Sequence, residues 1–149
     1  MQTAIRTILL AEDDANDVEL TLAALRGHGL ANNIVVVRDG AEALDYLFRR
    51  GAFASRPAEA PCLFLLDLKM PKVDGLEVLQ TVKADASLRT IPIVVLTSSA
   101  EESDLARSYD LGVNAYVVKP VVFSEFLDAV KIVGQFWAVV NQVPTRSEP

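Results

Sequence analysis

Five short runs of leucine and β-branched residues recur along the chain, and no other feature constrains its fold as strongly. Each run is almost continuously apolar, which is typical of parallel strands that helices cover on both faces. The runs are residues 7–11, 34–38, 63–67, 93–97 and 115–119. The segments that alternate with them carry apolar residues at helical spacing: 17–28, 40–50, 75–84, 100–111 and 124–141. This alternation predicts an α/β fold, a doubly wound parallel sheet of five strands with five helices.

Length and composition favour a single compact domain over residues 1–149. The chain has 149 residues, of which 51% are hydrophobic, so it can bury a core of ordinary size. We expect this core to cover about residues 5–141. The last helix, at about 124–141, is extended, and the tail at 142–149 is expected to be flexible.

Charge and apolar pattern exclude several classes of partner. A net charge of −6 and a pI of about 4.7 argue against nucleic-acid binding, which depends on phosphate neutralisation by Lys and Arg. The longest apolar candidate, residues 121–140, is interrupted by charged side chains, so we expect no membrane span. A single cysteine, Cys62, fits a reducing compartment, and the N-terminal residues lack the pattern of a signal peptide. We therefore expect a cytoplasmic protein.

Polar side chains stand at the ends of four of the five predicted strands. They are Glu12 and Asp13 after the first strand, Asp67 at the third, Thr97 at the fourth and Lys119 at the fifth. In open α/β sheets, ligand sites form at the carboxyl ends of the strands, where the strand order reverses. With the flavodoxin-like order 2-1-3-4-5, strands 1 and 3 are neighbours and strands 4 and 5 come next. The polar side chains would then lie in one row.

A row of carboxylates with one hydroxyl and one lysine is suited to phosphoryl transfer. Several carboxylates in one pocket repel each other unless a cation intervenes. Mg²⁺ accepts oxygen ligands while keeping several waters, so it removes this conflict. The metal and Lys119 would neutralise the phosphoryl oxygens. An aspartate in such a site can be the nucleophile, which predicts an aspartyl phosphate at Asp67.

Four sequence motifs carry a resemblance to a known family. LLAEDD, LLDLKMPKVDG, VVLTSS and YVVKP resemble the four motifs of the response-regulator receiver domains of two-component signalling. The resemblance covers about residues 5–141. The spacing is also similar, because Thr97 follows Asp67 by 30 positions and Lys119 follows Thr97 by 22.

The resemblance implies a phosphoacceptor and a Mg²⁺ site. Asp67 matches the residue that accepts the phosphoryl group, and it is also a metal ligand. Asp13 matches the direct ligand of the acidic pair, and Glu12 matches the member that acts mostly through water. The backbone carbonyl of Lys69 matches the third protein ligand, and the Lys69 side chain is expected to tune hydrolysis of the phosphoryl group.

The resemblance also implies a switch. Thr97 matches the hydroxyl that moves toward the phosphoryl group, and Tyr116 matches the aromatic residue that turns inward after it. Lys119 matches the lysine that pairs first with the acceptor carboxylate and then with phosphate, and its bond to Pro120 is expected to be cis. The signal is expected to leave through the face made by helix 4, strand 5 and helix 5.

A narrower resemblance rests on the long loop at 51–61 and on the ending FSEFLDAVKIVGQFWAVVNQVP. Both are similar to the small stand-alone response regulators that partner phytochrome-type histidine kinases. Only 30 residues follow Lys119, too few for a DNA-binding output domain. The expected output is therefore contact with a downstream protein, or onward transfer to a phosphotransfer protein as an intermediate in a multistep phosphorelay.

The last helix carries two adjacent apolar stripes, although a helix that packs on one sheet needs only one. The second stripe indicates a homodimer face, with Phe136 and Trp137 as its anchors, because aromatic residues are enriched at such sites. The simpler interpretation is a helix more deeply covered by its own fold.

Several single residues also have simpler interpretations. Asp67 alone could form a strand-end turn, Asp14 could be a solvated charge near a helix N-terminus, and Tyr116 could only pack in the sheet. His28 is interpreted as a solvated loop residue. Ser99 begins a capping-box pattern ahead of the fourth helix.

Three other functions fit the sequence less well. A phosphohydrolase of the haloacid-dehalogenase-like class needs a second aspartate two residues after its nucleophile, where this chain has Lys69. A dinucleotide-binding domain needs glycines in the first turn, which reads AEDDAND. A receiver-like scaffold that no longer takes phosphate would be expected to lack part of the motif set, and no part is missing.

Overall fold

The computed structural model describes residues 7–26 and 33–140, with only the backbone from 138 to 140. His28 and the tail at 142–149 lie outside the described residues. The strands are β1 (Thr7–Ala11), β2 (Asn33–Val37), β3 (Leu63–Leu66), β4 (Ile93–Thr97) and β5 (Ala115–Val118). The helices are α1 (Ala15–Arg26), α2 (Gly40–Phe48), α3 (Gly75–Ala84), α4 (Glu102–Asp110) and α5 (Phe123–Gly134). A 3₁₀ turn, Gly51–Phe53, lies in the long loop, and a π-helical segment, Gln135–Val140, follows α5.

All five strands are parallel and form one sheet in the order β2-β1-β3-β4-β5. The predicted doubly wound fold, its strand order and its five helices are therefore confirmed. Two apolar layers cover the sheet, and side chains on alternate positions of each strand face opposite layers. One layer joins the sheet to α2 and α3, and the other joins it to α1 and α5.

The register places the strand ends side by side. Leu66 of β3 pairs with Ala11 of β1 and with Val95 of β4. The Asp67 amide then donates to the Ala11 carbonyl at 3.1 Å, so the ladder continues one residue past β3. On the other side, the Lys119 amide donates to the Thr97 carbonyl at 2.7 Å. The backbone thus fixes the row of polar residues that the sequence predicts.

Two local predictions, the capping box and the cis proline, are wrong, and the last helix keeps its predicted range but changes helix type. The capping box does not form, because α4 begins after Glu101, and the Ser99 hydroxyl bonds to the Asp104 carboxylate instead. The α-helical part of the last helix ends at Gly134, where the π-helical segment replaces it. The described residues contain no cis peptide bond, so Lys119–Pro120 is trans, the form that X–Pro bonds favour by about 0.5–1 kcal/mol. None of the described helices has the length and apolar character to span a membrane.

Candidate functional site

Three carboxylates meet at the carboxyl edge of the sheet. Glu12, Asp13 and Asp67 each place one oxygen within 4.8 Å of the other two. Glu12 is 3% exposed and Asp67 is 6% exposed, whereas Asp13 faces solvent. Two buried acids with one open side form a cluster that can hold a cation and still admit water and a substrate.

The backbone around Asp67 is held from two sides. β3 is buried along its whole length, and its last ladder bond runs from the Asp67 amide to Ala11. On the other side, the first residue of α3, Gly75, packs directly on this backbone and donates to the Leu68 carbonyl at 2.9 Å. A Cβ on Gly75 would lie 2.6 Å from the Leu68 Cα and would overlap the Asp67 carbonyl. Gly75 is thus a positional requirement of the site that the sequence analysis missed.

Lys119 reaches the carboxylates from β5. Its Nζ donates to Glu12, to Asp17 Oδ2 at 2.8 Å and to Asp67 Oδ2 at 3.3 Å. Its side chain is almost fully buried. The predicted pairing of Lys119 with Asp67 is present, but two other carboxylates share the ammonium group. Sequence reasoning missed Asp17. The feature that could have indicated it is its position in the first turn of α1, four residues after Asp13, a spacing that puts two side chains on the same side of a helix.

The electrostatics of the site indicate an excess of negative charge. The pKa of Glu12 is raised to about 8, chiefly by burial; the hydrogen bond from Lys119 opposes this rise, and the adjacent Asp67 adds to it. Burial alone would lower the pKa of Lys119, but hydrogen bonds to Asp17 and Glu12 and the charge of Asp67 raise it above its ordinary value. One lysine cannot neutralise this many carboxylates, so a cation would relieve the repulsion.

The donor set fits a hard divalent ion. All three clustered ligands are carboxylate oxygens, which suit Mg²⁺ or Mn²⁺ better than a metal that prefers nitrogen or sulfur ligands. The exposed side, at Asp13, leaves room for the waters that Mg²⁺ usually keeps. The backbone amide of Lys69 donates to Asp67 Oδ1 at 3.3 Å, so this turn folds back on the Asp67 carboxylate. The predicted ligand role of the Lys69 carbonyl stays a prediction.

Thr97 and Tyr116 are joined through Ser99. Thr97 is fully buried at the end of β4, and its Oγ1 accepts from the Ser99 amide at 3.4 Å. The Tyr116 hydroxyl donates to the Ser99 carbonyl at 2.8 Å, and the partly buried ring packs against the core layer of α2 and α3. Tyr116 therefore packs in the sheet, as the simpler interpretation has it, and also contacts the loop after Thr97.

The side chain of Lys69 points to α4. Its Nζ lies 3.5 Å from Asp104 Oδ2, the same oxygen that accepts from the Ser99 hydroxyl at 2.6 Å. Lys69 is mostly exposed and Asp104 is mostly buried.

Asp14 has the simple role that the sequence favours, because its side chain caps α1 by accepting from the Asp17 amide at 2.9 Å.

The face made by α4, β5 and α5 exposes apolar side chains. Some of these side chains lie close to Lys119 in the sequence, and others lie on the last helix. They are Leu105, Tyr109, Val118, Val121, Val122, Phe123, Ile132 and Phe136. Clustered exposed apolar side chains are typical of surfaces that contact other proteins.

Comparison with known proteins gives one family. The profile of the response regulator receiver domain matches residues 8–131. Response regulator Rcp1 of Synechocystis sp. is 36% identical over 139 residues, 93% of each chain. Its Mn²⁺-bound crystal structure superposes with a TM-score of 0.88 at 36% identity and covers 94% of this chain and 99% of that one.

Two further solved structures are similar over nearly their whole length. The crystal structure of the phosphorylated cyanobacterial phytochrome response regulator RcpA is 42% identical, with a TM-score of 0.89, covering 95% of this chain and 100% of that one. The bacteriophytochrome response regulator AtBRR is 59% identical, with a TM-score of 0.75, covering 94% and 100%.

Proposed function

This chain belongs to the response regulator receiver domain family, and on that premise we propose that Asp67 accepts a phosphoryl group from a histidine kinase in a Mg²⁺-dependent reaction. Phosphorylation on an aspartate with a divalent metal is typical of this family. The observation that carries the proposal is the setting of Asp67, which is buried between two further acids and within 3.3 Å of the Lys119 ammonium group. Burying carboxylates this close together is unfavourable unless positive charge balances them, which fits a site that holds a cation.

The chemical step is an in-line displacement. An oxygen of Asp67 attacks the phosphorus of a kinase phosphohistidine, the P–N bond breaks, and its electron pair returns to the imidazole nitrogen. Lys119 neutralises the phosphoryl oxygens, since its Nζ already lies beside the attacking carboxylate. Mg²⁺, held by Asp13, Asp67 and the Lys69 carbonyl with Glu12 acting through water, would supply the remaining positive charge. Beyond this, the chain assists its own phosphorylation and dephosphorylation.

The output follows from the link between Thr97 and Tyr116. The Thr97 hydroxyl moves to a phosphoryl oxygen, and Ser99, which contacts both Thr97 and Tyr116, transmits the shift. The change then reaches the face of α4, β5 and α5, where apolar side chains are exposed for a partner. The change of charge at Asp67 thereby shifts the balance between two conformations of this face.

The kinase we propose is of the phytochrome type. This rests on the likeness to RcpA and AtBRR, which are phytochrome and bacteriophytochrome response regulators. The place of action is the cytoplasm, in keeping with one buried thiol, Cys62, in a reducing compartment. Downstream, the protein contacts a further protein or passes its phosphoryl group to a phosphotransfer protein, as a phosphorelay intermediate would.

A homodimer through the last helix is also proposed. Phe136 is 48% exposed and Ile132 is 66% exposed, so both can anchor a partner helix. Trp137 is only partly exposed, because it packs against the core layer of α1 and α5 and contacts the Phe136 ring edge-to-face at 5.0 Å. We therefore assign Trp137 the role of supporting Phe136 in the dimer face.

Intact mass after incubation with acetyl phosphate and Mg²⁺ tests the proposed function. The parent is expected to gain about 80 Da, the mass of one phosphoryl group, and the gain should be absent with EDTA and in Asp67→Asn. If the parent gains no mass, two explanations are open: acetyl phosphate reacts too slowly at this site, or the protein takes no phosphoryl group at all. Binding of beryllofluoride distinguishes them. Binding would point to the slow donor, and no binding would overturn the proposal.

A further inference from the structure

We propose that Asp104 is a positioning residue that holds the Lys69 ammonium group away from Asp67 and fastens α4 to the loop after Thr97. This inference rests on the proposed phosphoryl site at Asp67 and adds a residue of α4 to its control. Asp104 lies in the first turn of α4 and is not one of the three clustered carboxylates.

One carboxylate oxygen carries both contacts. Asp104 Oδ2 accepts from the Ser99 hydroxyl at 2.6 Å and lies 3.5 Å from Lys69 Nζ. The Ser99 hydroxyl in turn accepts from the Glu101 amide at 3.4 Å, so the entry to α4 is tied to the same point. Since Lys69 follows Asp67 by two residues, Asp104 connects the turn at the acceptor with the start of α4.

The packing of α4 makes this polar connection important. Its only buried side chain is that of Ser108, whose hydroxyl has no hydrogen-bond partner in the described part of the chain. Leu105 and Tyr109, the large apolar residues of its middle, are exposed. The helix therefore gains little from apolar burial, which is the usual source of helix stability in proteins. The polar contacts at its first turn therefore contribute a larger share of the interactions that hold α4 in place than they would in a well-buried helix.

Phosphorylation creates a competitor for Lys69. Phosphorylation of Asp67 replaces the carboxylate charge of −1 with a phosphoryl group of about −1.5 to −2, and it places three acceptor oxygens two residues before the lysine. The long Lys69 side chain can turn from Asp104 to these oxygens, because it is mostly exposed. In that position it covers the phosphorus and slows attack by water. Asp104 then loses its ion pair with Lys69 and keeps only the hydrogen bond from Ser99, so α4 is held less firmly in the phosphorylated protein.

Decay of the phosphorylated protein provides the first test. The parent and its variants are loaded with acetyl phosphate, freed of donor, and followed by intact mass with Mg²⁺ present. Asp104→Asn keeps an acceptor for Ser99 but releases Lys69, so the half-life is expected to rise about threefold. In the Lys69→Ala background the same substitution should change nothing, and Asp104→Glu should restore most of the parent half-life.

The matched control is Glu102→Gln, which removes an exposed carboxylate from the same turn of α4. It should leave the half-life unchanged. An equal effect of Asp104→Asn with and without Lys69, or no effect in either, would overturn the proposed competition.

Hydrogen exchange of the unphosphorylated protein provides the second test and does not depend on phosphoryl transfer. Asp104→Ala is expected to increase amide exchange in residues 99–110 and to leave α3 unchanged. Unchanged exchange at α4 would overturn the proposed fastening. If the parent accepts no phosphoryl group, the proposed function fails, while this measurement still decides whether Asp104 holds α4.

Discussion

The Lys119 ammonium group donates to the Asp17 carboxylate at 2.8 Å, a shorter contact than the 3.3 Å that separates it from Asp67. Asp17 belongs to α1, so this bond ties the end of β5 to a helix on the other side of the site. The lysine that we propose binds the phosphoryl oxygens is therefore shared with a carboxylate to which we assign no direct part in the chemistry.

We expect Asp17→Asn to strengthen binding of beryllofluoride, which stands in for the phosphoryl group, by about threefold, because one competitor for Lys119 is lost. Titration of both proteins in Mg²⁺ measures this. Glu19→Gln, an exposed acid of the same helix, is the control and should bind like the parent. Weaker binding by Asp17→Asn would show that Asp17 positions the lysine rather than competing for it.

Much of the site could be predicted because parallel strands bring their carboxyl ends to one edge. Glu12, Asp67 and Lys119 directly follow apolar runs, so the spacing of the runs determines where they stand. Asp17 could not be found in this way, because its contact depends on how α1 turns after the strand. The Ser99 hydroxyl was assigned to a cap, but the Asp104 carboxylate, placed by tertiary packing, is its partner.

The contact between Gly75 and the Asp67 backbone predicts a substitution that damages stability and site together. In Gly75→Ala the new methyl group would overlap the Asp67 carbonyl, so β3 and α3 must separate. We expect the free energy of unfolding to fall by about 2 kcal/mol or more, with weaker Mg²⁺ binding. Urea unfolding and metal titration measure the two effects.

Gly40→Ala is the matched control for this substitution. Gly40 is also the first residue of its helix, α2, and is closely packed, but against Val73 rather than Asp67. It should destabilise the fold while Mg²⁺ affinity of the folded protein is retained. Equal loss of Mg²⁺ affinity in both variants would contradict a specific role for Gly75.

The raised pKa of Glu12 predicts how pH affects metal binding. Its value of about 8 in the folded chain exceeds its ordinary value of 4.5, so the folded state holds the proton more tightly than the unfolded state between these values. Without metal, this group's contribution to stability is therefore present at low pH and is lost as pH rises from about 5 to 8. Mg²⁺ should bind better as the proton leaves.

We expect the increase in Tm caused by Mg²⁺ to be larger at pH 8 than at pH 6. Glu12→Gln removes the titrating group, so its Tm shift should depend less on pH than that of the parent. Thermal unfolding gives the Tm of each protein at pH 6 and at pH 8, with and without Mg²⁺. An equal pH dependence in the parent and in Glu12→Gln would assign the effect to another group.

The exposed side of the last helix predicts the oligomeric state. Ile132 and Phe136 lie one helical turn apart and face solvent, while Trp137 supports Phe136 from the core side. We expect the parent to be a dimer at micromolar concentration by size-exclusion chromatography with light scattering, and Ile132→Asp to be a monomer, because burying the new carboxylate costs several kcal/mol. Phe123→Ala removes another exposed aromatic residue, at the start of α5, and should remain dimeric. A parent that is strictly monomeric, or a dimer that only Phe123→Ala disrupts, would show that the apolar surface serves a different contact.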